Sequence, residues 1–497
     1  MMLKNKILPM PLIADRADGE FHFGDSIDIL CNEPSFTDSD IAVYKKLWSS
    51  FCCGSEINFI KSDKIQTHCI CTAGYESNNC CGEYEYCISA AEDGFSLYAG
   101  TREGLIHAFI SLLQTVTPCS IEGELDLYVP ACTIKDKPML ETRMIHLCVF
   151  PETTLDSLKK FVVLSAFAKF SHIIIEFWGT LRFDCADYLY WKDFSYTKDE
   201  IKPIIELIRT LGAEPVPMLN HLGHAPQSRR VSGKHVVLDN NPKKALLFEP
   251  DGWTWCLSNP KTLALLKTMR GELTELFGKG SYFHFGCDET YSYATCDICA
   301  KKDSLEMLKN YFNLLADEMA QEGRKAIMWG DMFLEHGAWD EKYTALSYPE
   351  HNTHKILDCL SRNIVIADWH YRIFDSDIKT AEHFKNKGFD VLLCPWENAA
   401  NVSALSEAAK NLEINGAIAT TWHTLEQELA LIFYSAENFW SNLCEEKSDK
   451  FYDAMRKYEH TQLFMAKYLR LLFPSGGSYL NSGWHEHQAV TKSETFA

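Results

Sequence analysis

From about residue 140 onward, short apolar runs alternate with longer segments in which apolar residues recur every three to four positions. Each short run is bounded by polar or turn-forming residues, a pattern typical of a β-strand that is buried on both faces. The longer segments have the periodicity of amphipathic helices. The predicted strands cover residues 144–150, 172–178, 214–220, 282–289, 325–332, 363–370, 390–396 and 416–422.

Predicted helices separate these strands and follow the last one. Strands that alternate with helices pair in parallel, and eight such units predict a closed (β/α)8 TIM barrel. An open doubly wound sheet stays a possible alternative, and residues 221–259 are expected to form an extended loop on the active face. The predicted helices cover residues 155–170, 199–211, 260–277, 304–322, 354–360, 378–387, 404–412 and 426–444.

The two ends of the chain have other patterns. Residues 1–135 are predicted to form a small α+β domain, in which short strands surround two helices. Residues 136–445 form the predicted barrel, and residues 446–497 a helical C-terminal extension with a polar tail. The strands predicted in the first domain are 28–31, 56–60, 64–72, 84–90 and 95–99, and its helices are 40–51 and 101–114.

The net charge and the cysteine content limit the kinds of ligand and cellular compartment that are expected for this protein. The formal net charge of −20 argues against nucleic acid and anionic membranes, because both require a basic surface on the protein. No apolar run approaches the roughly 20 residues that span a bilayer. Pro9 and Pro11 interrupt the short apolar piece near the N-terminus, so no secretory signal is predicted. The 19 cysteines are odd in number and often lie in apolar runs, which favours reduced thiols in a cytoplasmic protein.

The run YFHFGCDET at residues 282–290 is the strongest candidate for a functional site. An aromatic strand ends there in Asp288 and Glu289, and carboxylates are costly to bury without partners. Strand ends at that edge carry the chemistry of α/β folds, and two carboxylates are the usual equipment of glycoside hydrolysis. The structural alternative is that these residues only cap the next helix.

Tryptophan lies at the carboxyl end of five other predicted strands, where a packed barrel core would favour Val, Ile and Leu. A ring of tryptophans around two acids fits a pocket for one sugar ring, although the same residues could simply seal the barrel. The remaining strand-end candidates are Glu176, Trp178, Asn220, Trp329, Asp331, Asp368, Trp369, His370, Trp396, Glu397, Trp422 and His423.

The run at 282–290 resembles the His-x-Gly-Gly-Asp-Glu signature of glycoside hydrolase family 20, the β-N-acetylhexosaminidases. Residues 255–277 resemble the approach to that signature, and residues 86–113 resemble the small domain before the family's barrel. Residues 134–138 with Arg143 resemble the start of that barrel, and Gly223-His224 its Gly-His pair. The resemblance covers most of residues 1–440, and Cys287 with Glu176 is more similar to the hexosaminidase D-like branch.

The resemblance implies a substrate-assisted mechanism, in which the 2-acetamido oxygen of the substrate attacks the anomeric carbon. Glu289 would protonate the leaving oxygen, and Asp288 would accept the acetamido N–H and stabilise the oxazolinium charge. Consecutive strand residues point to opposite faces. Both acids can therefore enter one pocket only if the strand ends at Asp288 and Glu289 begins the loop.

The resemblance also implies a set of substrate-binding residues. Arg143 would bind sugar hydroxyls at the pocket floor, with a surface position as the alternative. His224 would support the acid pair or a hydroxyl, with a structural loop histidine as the alternative, and His284 is expected to be a core histidine. The predicted substrate-binding residues are Arg143, Glu176, His224, Trp329, Trp369, Trp396 and Trp422.

Three departures from the family pattern leave the sugar contacts open. Glu176 is the only acid in the run after the second strand, where the family often has more. The last strand ends in Trp422-His-Thr without the family's acid, and residues 395–398 lack the tyrosine that usually binds the acetamido oxygen. These departures put the sugar preference in doubt and leave the acid pair intact.

Together these features predict a retaining exo-β-N-acetylhexosaminidase that acts, without cofactor or metal, on oligosaccharides or glycoconjugates with a terminal N-acetylhexosamine. One alternative is a retaining glycosidase in which Glu176 is the nucleophile and the sugar lacks the acetamido group. Another is a catalytically weak sugar-binding homologue. Cys296 and Cys299 have the spacing of zinc ligands, but about four are needed and no second matching pair lies nearby, so a reduced structural loop is expected.

Overall fold

The computed structural model describes residues 3–31, 37–52, 55–61, 71–75, 82–121, 124–225 and 236–441. Within these ranges the chain forms a mixed β-sheet unit followed by a closed parallel barrel. The predicted C-terminal extension, residues 446–497, lies outside the described residues, as does most of the strand predicted at 64–72.

The sheet unit has the strand order β1-β8-β5-β6-β4-β2-β3, and β7 pairs with β8. Its helices pack on the sheet. The Thr101 side chain caps the second helix by accepting the Gly104 N–H. The elements of this unit are β1 Ile13–His22, β2 Ser26–Cys31, α1 Asp38–Phe51, β3 Glu56–Lys61, β4 Cys71–Tyr75, β5 Tyr86–Ala91, β6 Gly94–Ala99, α2 Arg102–Thr115, β7 Thr117–Ile121 and β8 Glu124–Asp136.

Eight parallel strands form the barrel, which closes where the last strand pairs with the first. The predicted TIM barrel is therefore confirmed, and each predicted strand corresponds to one observed strand. The largest difference in length is at the fourth strand, which ends at His284, whereas the sequence pattern predicts a strand up to residue 289. The barrel strands are β9 Thr142–Val149, β10 His172–Phe177, β11 Glu214–Met218, β12 Tyr282–His284, β13 Lys325–Trp329, β14 Ile364–Trp369, β15 Asp390–Cys394 and β16 Gly416–Ala419.

Helices cover the outside of the barrel, and their ends carry the expected signals. Thr197 and Glu200 form a capping box at one helix, and Asn259 caps another that begins with Pro260. A 3-10 helix, Thr353–Cys359, takes the place of the α-helix predicted at 354–360. The α-helices are α3 Leu155–Phe167, α4 Lys198–Thr210, α5 Val236–Asn240, α6 Pro260–Phe277, α7 Ser304–Gln321, α8 Lys379–Asn386, α9 Ala399–Asn411 and α10 Leu429–Trp440.

Burial distinguishes the two units. Every residue of β10 is buried, because barrel side chains pack either on the helices or inside the barrel, whereas buried and more exposed residues alternate along β5. The described part of the chain contains no helix with the length and apolar character that crossing a bilayer requires. The barrel interior contains Met144, Ile174, Val216, Met218, Ile327, Trp329, Val365, Ala367, Leu392, Cys394 and Ile418.

A buried polar group, which we call the junction cluster, joins the sheet unit to the N-terminal end of the barrel. It consists of Tyr86, Asp136, Lys169 and Trp440, all of them buried. The Asp136 carboxylate accepts hydrogen bonds from the Tyr86 hydroxyl at 2.6 Å and the Trp440 indole at 3.0 Å. The Lys169 ammonium lies 3.5 Å from that carboxylate. Burial lowers the pKa of Lys169 to about 8, and the charge of Asp136 opposes this shift.

We expect Lys169→Met to lower the free energy of unfolding by about 3–5 kcal/mol, because it leaves the Asp136 carboxylate buried without its cation. Urea unfolding followed by tryptophan fluorescence measures the loss. Lys325→Met is the matched control, since Lys325 pairs with Asp390 at 2.5 Å but the two side chains are 47% and 56% exposed. The control should cost less than about 1 kcal/mol. Equal losses in the two variants would contradict a structural role for the junction cluster.

Candidate active site

The backbone leaves β12 abruptly and brings two consecutive acids to the same place. Phe285 still bonds to the neighbouring strand, with its N–H 2.8 Å from the Ile327 carbonyl oxygen. Gly286, Cys287 and Glu289 then adopt left-handed backbone conformations, with φ of 65°, 71° and 46°. Strand alternation therefore ends before Asp288, so the two adjacent side chains need not point to opposite faces.

His224 shows that the two carboxylates converge. Its Nε2 lies 3.3 Å from Asp288 Oδ2 and 3.2 Å from Glu289 Oε2. Asp288 is buried, whereas 31% of the Glu289 side chain is exposed. The loop after β11 brings His224 this close because Gly223 packs on the Asp288 backbone, where an added Cβ would lie 2.2 Å from the carbonyl oxygen.

Charge pairing stabilises this partly buried group of His224, Asp288 and Glu289. Burial alone would lower the pKa of His224, but the carboxylates of Asp288 and Glu289 outweigh it and raise that pKa to about 10. Burial raises the pKa of Asp288, and the nearby His224 opposes that rise. The imidazole is therefore cationic at neutral pH and offsets part of the negative charge of the acid pair.

Two further side chains hold Glu289 through its backbone. The buried Asp331 accepts the Glu289 N–H at 2.9 Å and the Trp369 indole N–H at 3.1 Å. The Trp253 indole donates to the Glu289 carbonyl at 2.8 Å, and the Trp253 ring lies 4.5 Å from the His224 ring. The sequence predicts Asp331 only as a strand-end residue, without this role. Trp253 is not among the predicted site residues, and its only sequence signal is its place in the long loop after β11.

Three of the predicted tryptophans meet around Tyr371, and we call this group the aromatic wall. The Tyr371 ring lies 5.1 Å from the rings of both Trp369 and Trp396. The Trp422 indole donates to the Tyr371 hydroxyl at 2.8 Å. All four side chains are partly exposed, so they can contact a ligand. Sequence reasoning missed Tyr371, although it lies two residues after Trp369 at the end of β14.

Trp329 and Glu176 lie deeper than predicted. Trp329 is 1% exposed and packs inside the barrel, with its ring 5.8 Å from that of Trp422. Glu176 is fully buried, accepts the Asn220 side-chain N–H at 2.6 Å and lies 3.0 Å from His146. The prediction that these two residues form the sugar pocket is therefore corrected, since both belong to the layer beneath it.

The prediction that Arg143 binds sugar at the pocket floor is also corrected. Arg143 is the second residue of β9 and therefore lies at the N-terminal end of the barrel, opposite to the acids. Its guanidinium donates to backbone carbonyls, including those of Leu140 and Lys169, and lies 4.4 Å over the Tyr84 ring. The side chain is 1% exposed, because it packs against the sheet unit.

Fold and site together define a TIM-barrel protein with an acid pair at the carboxyl edge of its strands, the arrangement used by barrel glycosidases. The sequence model of glycosyl hydrolase family 20, catalytic domain, matches residues 185–442, just over half of the 497-residue chain. The chain belongs to glycosyl hydrolase family 20. The finer resemblance to the hexosaminidase D-like branch stays a prediction.

Individual relatives are distant. The chain is 23% identical over 278 residues to a β-hexosaminidase of Akkermansia muciniphila, covering 49% of this chain and 55% of that protein. It is 23% identical over 213 residues to a lacto-N-biosidase of Bifidobacterium bifidum, covering 42% of this chain and 18% of that protein. The chain thus matches less than two thirds of the length of either curated relative.

A solved structure shows the same fold. The β-N-acetylhexosaminidase of Bacteroides fragilis superimposes with a TM-score of 0.70 at 19% identity, covering 93% of this chain and 96% of that one. The coverage extends the likeness beyond the barrel to the sheet unit that precedes it.

We expect Gly286→Ala to unfold at clearly lower urea concentration than Gly323→Ala. Both glycines have positive φ, 65° and 73°, so both variants carry the backbone cost of about 1–2 kcal/mol. Only at Gly286 would the new Cβ also lie 1.7 Å from Asn220 Oδ1; at Gly323 nothing lies within 4 Å. Indistinguishable midpoints would show that the loop after β12 can move away from Asn220.

Proposed function

We propose that the chain is a retaining exo-β-N-acetylhexosaminidase that removes terminal β-linked N-acetylglucosamine or N-acetylgalactosamine by substrate-assisted catalysis. The observation that carries the proposal is the convergence of buried Asp288 and partly exposed Glu289 on His224. Family membership supports it, as does the similarity to a protein named β-hexosaminidase. The charge of −20 and the many free thiols support a cytoplasmic protein that acts on neutral sugars.

Glu289 acts as the general acid in this mechanism. Its side chain is the more exposed of the pair, so it can reach the glycosidic oxygen of a substrate that enters from solvent. Its backbone is held on both sides, since its N–H donates to Asp331 and its carbonyl oxygen accepts from the Trp253 indole. As the bond from the anomeric carbon to that oxygen breaks, Glu289 transfers its proton to the leaving group.

Asp288 acts on the acetamido group. Its buried carboxylate accepts the acetamido N–H, which turns the carbonyl oxygen toward the anomeric carbon and stabilises the positive charge of the oxazolinium intermediate. The cationic His224 favours the ionised form of Asp288 that this role requires. Water then attacks the anomeric carbon while Glu289 takes its proton, so the configuration is retained.

Tyr371 is the donor that we assign to the acetamido oxygen. Its own oxygen accepts the Trp422 N–H at 2.8 Å, and a neutral phenol also has a hydrogen that it can donate. It lies at the centre of the aromatic wall and close enough to Asp288 for the charge of that carboxylate to raise its pKa further, after burial. It would supply the contact that the family usually takes from a tyrosine after the seventh strand.

The alternative with Glu176 as nucleophile has less support. Glu176 is fully buried and pairs with Asn220 and His146, so its carboxylate faces the barrel interior. An enzyme nucleophile must instead reach the anomeric carbon from the sugar pocket, about 5–5.5 Å from the acid.

We expect nitrophenol release from the β-N-acetylglucosaminide or β-N-acetylgalactosaminide, and none from the plain β-glucoside. Glu289→Gln and Asp288→Asn should each lower kcat/KM by about 10²–10⁴, because each removes a group that acts in the transition state. Glu275→Gln, at an exposed position of α6, is the matched control and should leave kcat/KM unchanged. Turnover of the plain glucoside that depends on Glu176, or silence on all three substrates, would contradict the proposal.

Tyr371→Phe should lower kcat/KM for the acetamido substrates by about 10-fold or more, since it removes one donor to the attacking oxygen and keeps the ring of the aromatic wall. Steady-state kinetics measures the change. Tyr98→Phe on β6, in the sheet unit, is the control for loss of a hydroxyl elsewhere. Equal activity of Tyr371→Phe and the unmodified chain would show that another group binds the acetamido oxygen.

A further inference from the structure

Four potential metal ligands come together from the two loops that carry Trp253 and Glu289, and we call them the thiol cluster. Glu249 and Cys256 lie in the loop after β11, and Cys296 and Cys299 lie in the loop after β12. Glu249, Cys256 and Cys299 are buried, and Cys296 is partly buried. The Cys296/Cys299 pair, which lacks partners in the sequence, therefore finds two more ligands in the fold.

The distances fit a tetrahedral zinc ion. The sulfur of Cys256 lies 3.7 Å from that of Cys296 and 3.6 Å from that of Cys299. One ligand atom from each of the four residues lies within 4.8 Å of all the others. Zinc–sulfur bonds of about 2.3 Å at tetrahedral angles place sulfur atoms about 3.8 Å apart. A disulfide would require about 2.05 Å.

Glu249 is oriented for coordination. Its Oε2 accepts the backbone N–H of Thr295 at 2.9 Å and of Cys296 at 2.6 Å, which fixes the carboxylate plane. Its Oε1 is buried and has no hydrogen-bond partner, while the whole residue is 1% exposed. A buried carboxylate oxygen without a partner is costly, and a cation bound there would remove that cost.

The ligand atoms of the thiol cluster favour zinc over other metal ions. Three thiolates with one carboxylate suit zinc, whereas calcium and magnesium take oxygen ligands. Binding would release the thiol protons to solvent. The charge of the thiolates is partly offset by backbone donors, since the Cys299 N–H lies 3.3 Å from the Cys296 sulfur.

We propose that the thiol cluster binds one structural zinc ion that cross-links the two active-site loops. Four protein ligands leave no open coordination position, so the ion takes no part in the chemistry. The cross-linked loops carry Trp253 and Glu289, which are joined by the hydrogen bond from the Trp253 indole to the Glu289 carbonyl. The Asp251 carboxylate accepts the Ser292 hydroxyl at 2.7 Å and connects the same loops beside the cluster. The proposed ion therefore joins the same two loops that these hydrogen bonds join.

The test is the metal content of the full chain, purified with a non-chelating reductant, reconstituted with excess zinc and passed through gel filtration. Mass spectrometry of the metals should find about one zinc per chain. Cys296→Ser with Cys299→Ser should reduce zinc to background. Glu249→Gln, which keeps the shape of the side chain, should weaken zinc retention against a competing chelator. Cys132→Ser and Cys394→Ser, at buried cysteines outside the cluster, should retain the ion.

Cobalt substitution gives a second readout that needs no activity. The cobalt form should show thiolate-to-metal charge-transfer absorption that the double cysteine variant lacks. The proposal is overturned if the reconstituted unmodified chain holds no stoichiometric zinc, if the double variant retains it, or if mass spectrometry finds a Cys256–Cys299 disulfide instead. Zinc content is independent of the hexosaminidase assay, so either proposal can fail without the other.

Discussion

The abrupt end of β12 is the constraint on which the whole site depends. Two consecutive acids can face one cavity only if the backbone leaves the strand, and here it does so through left-handed residues that include Cys287 and Glu289. Such conformations are unfavourable for residues with a Cβ, so neighbouring parts must hold them. On the β11 side, Asn220 packs against Gly286 and His224 contacts the Glu289 carboxylate. On the β13 side, Asp331 accepts the Glu289 N–H. The loops after β11 and β13 therefore both contact this turn and hold its conformation.

The barrel could be predicted from the sequence because its strands are apolar on both faces. Eight such strands can be counted even where the predicted strand ends are wrong by a few residues. The edge strand β1 could not, since most of its residues are exposed and polar and no alternation marks a core face. The long strand β8 was missed as well, although it pairs with three other strands. Its pairings with β1 and β5 join residues far apart in the chain, which local periodicity does not reveal.

The candidate site likewise contains residues that could be predicted from the sequence and residues that could not. Asp288, Glu289 and His224 are identifiable because each belongs to a short motif after a barrel strand, with Gly286 two residues before Asp288 and Gly223 directly before His224. The depth of a side chain is not encoded in such a motif, which is why Glu176 and Trp329 were placed in the pocket although they lie beneath it. Arg143 was assigned to the wrong end of the barrel, since its partners come from the sheet unit and α10. The thiol cluster joins residues 249 and 299, a pairing that only the packed loops reveal.

The junction cluster has a consequence for the order in which the chain matures. Asp136 is synthesised before Trp440, one of its hydrogen-bond donors, which follows 304 residues later in the chain. The Met10 N–H likewise donates to Glu437, 427 residues further on. Until the last described helix has been synthesised, the sheet unit lacks these two contacts, although the Tyr86 hydroxyl can already bond to the Asp136 carboxylate. A chain that stops before α10 therefore leaves exposed the surface that Trp440 covers, and surface left exposed in this way favours aggregation.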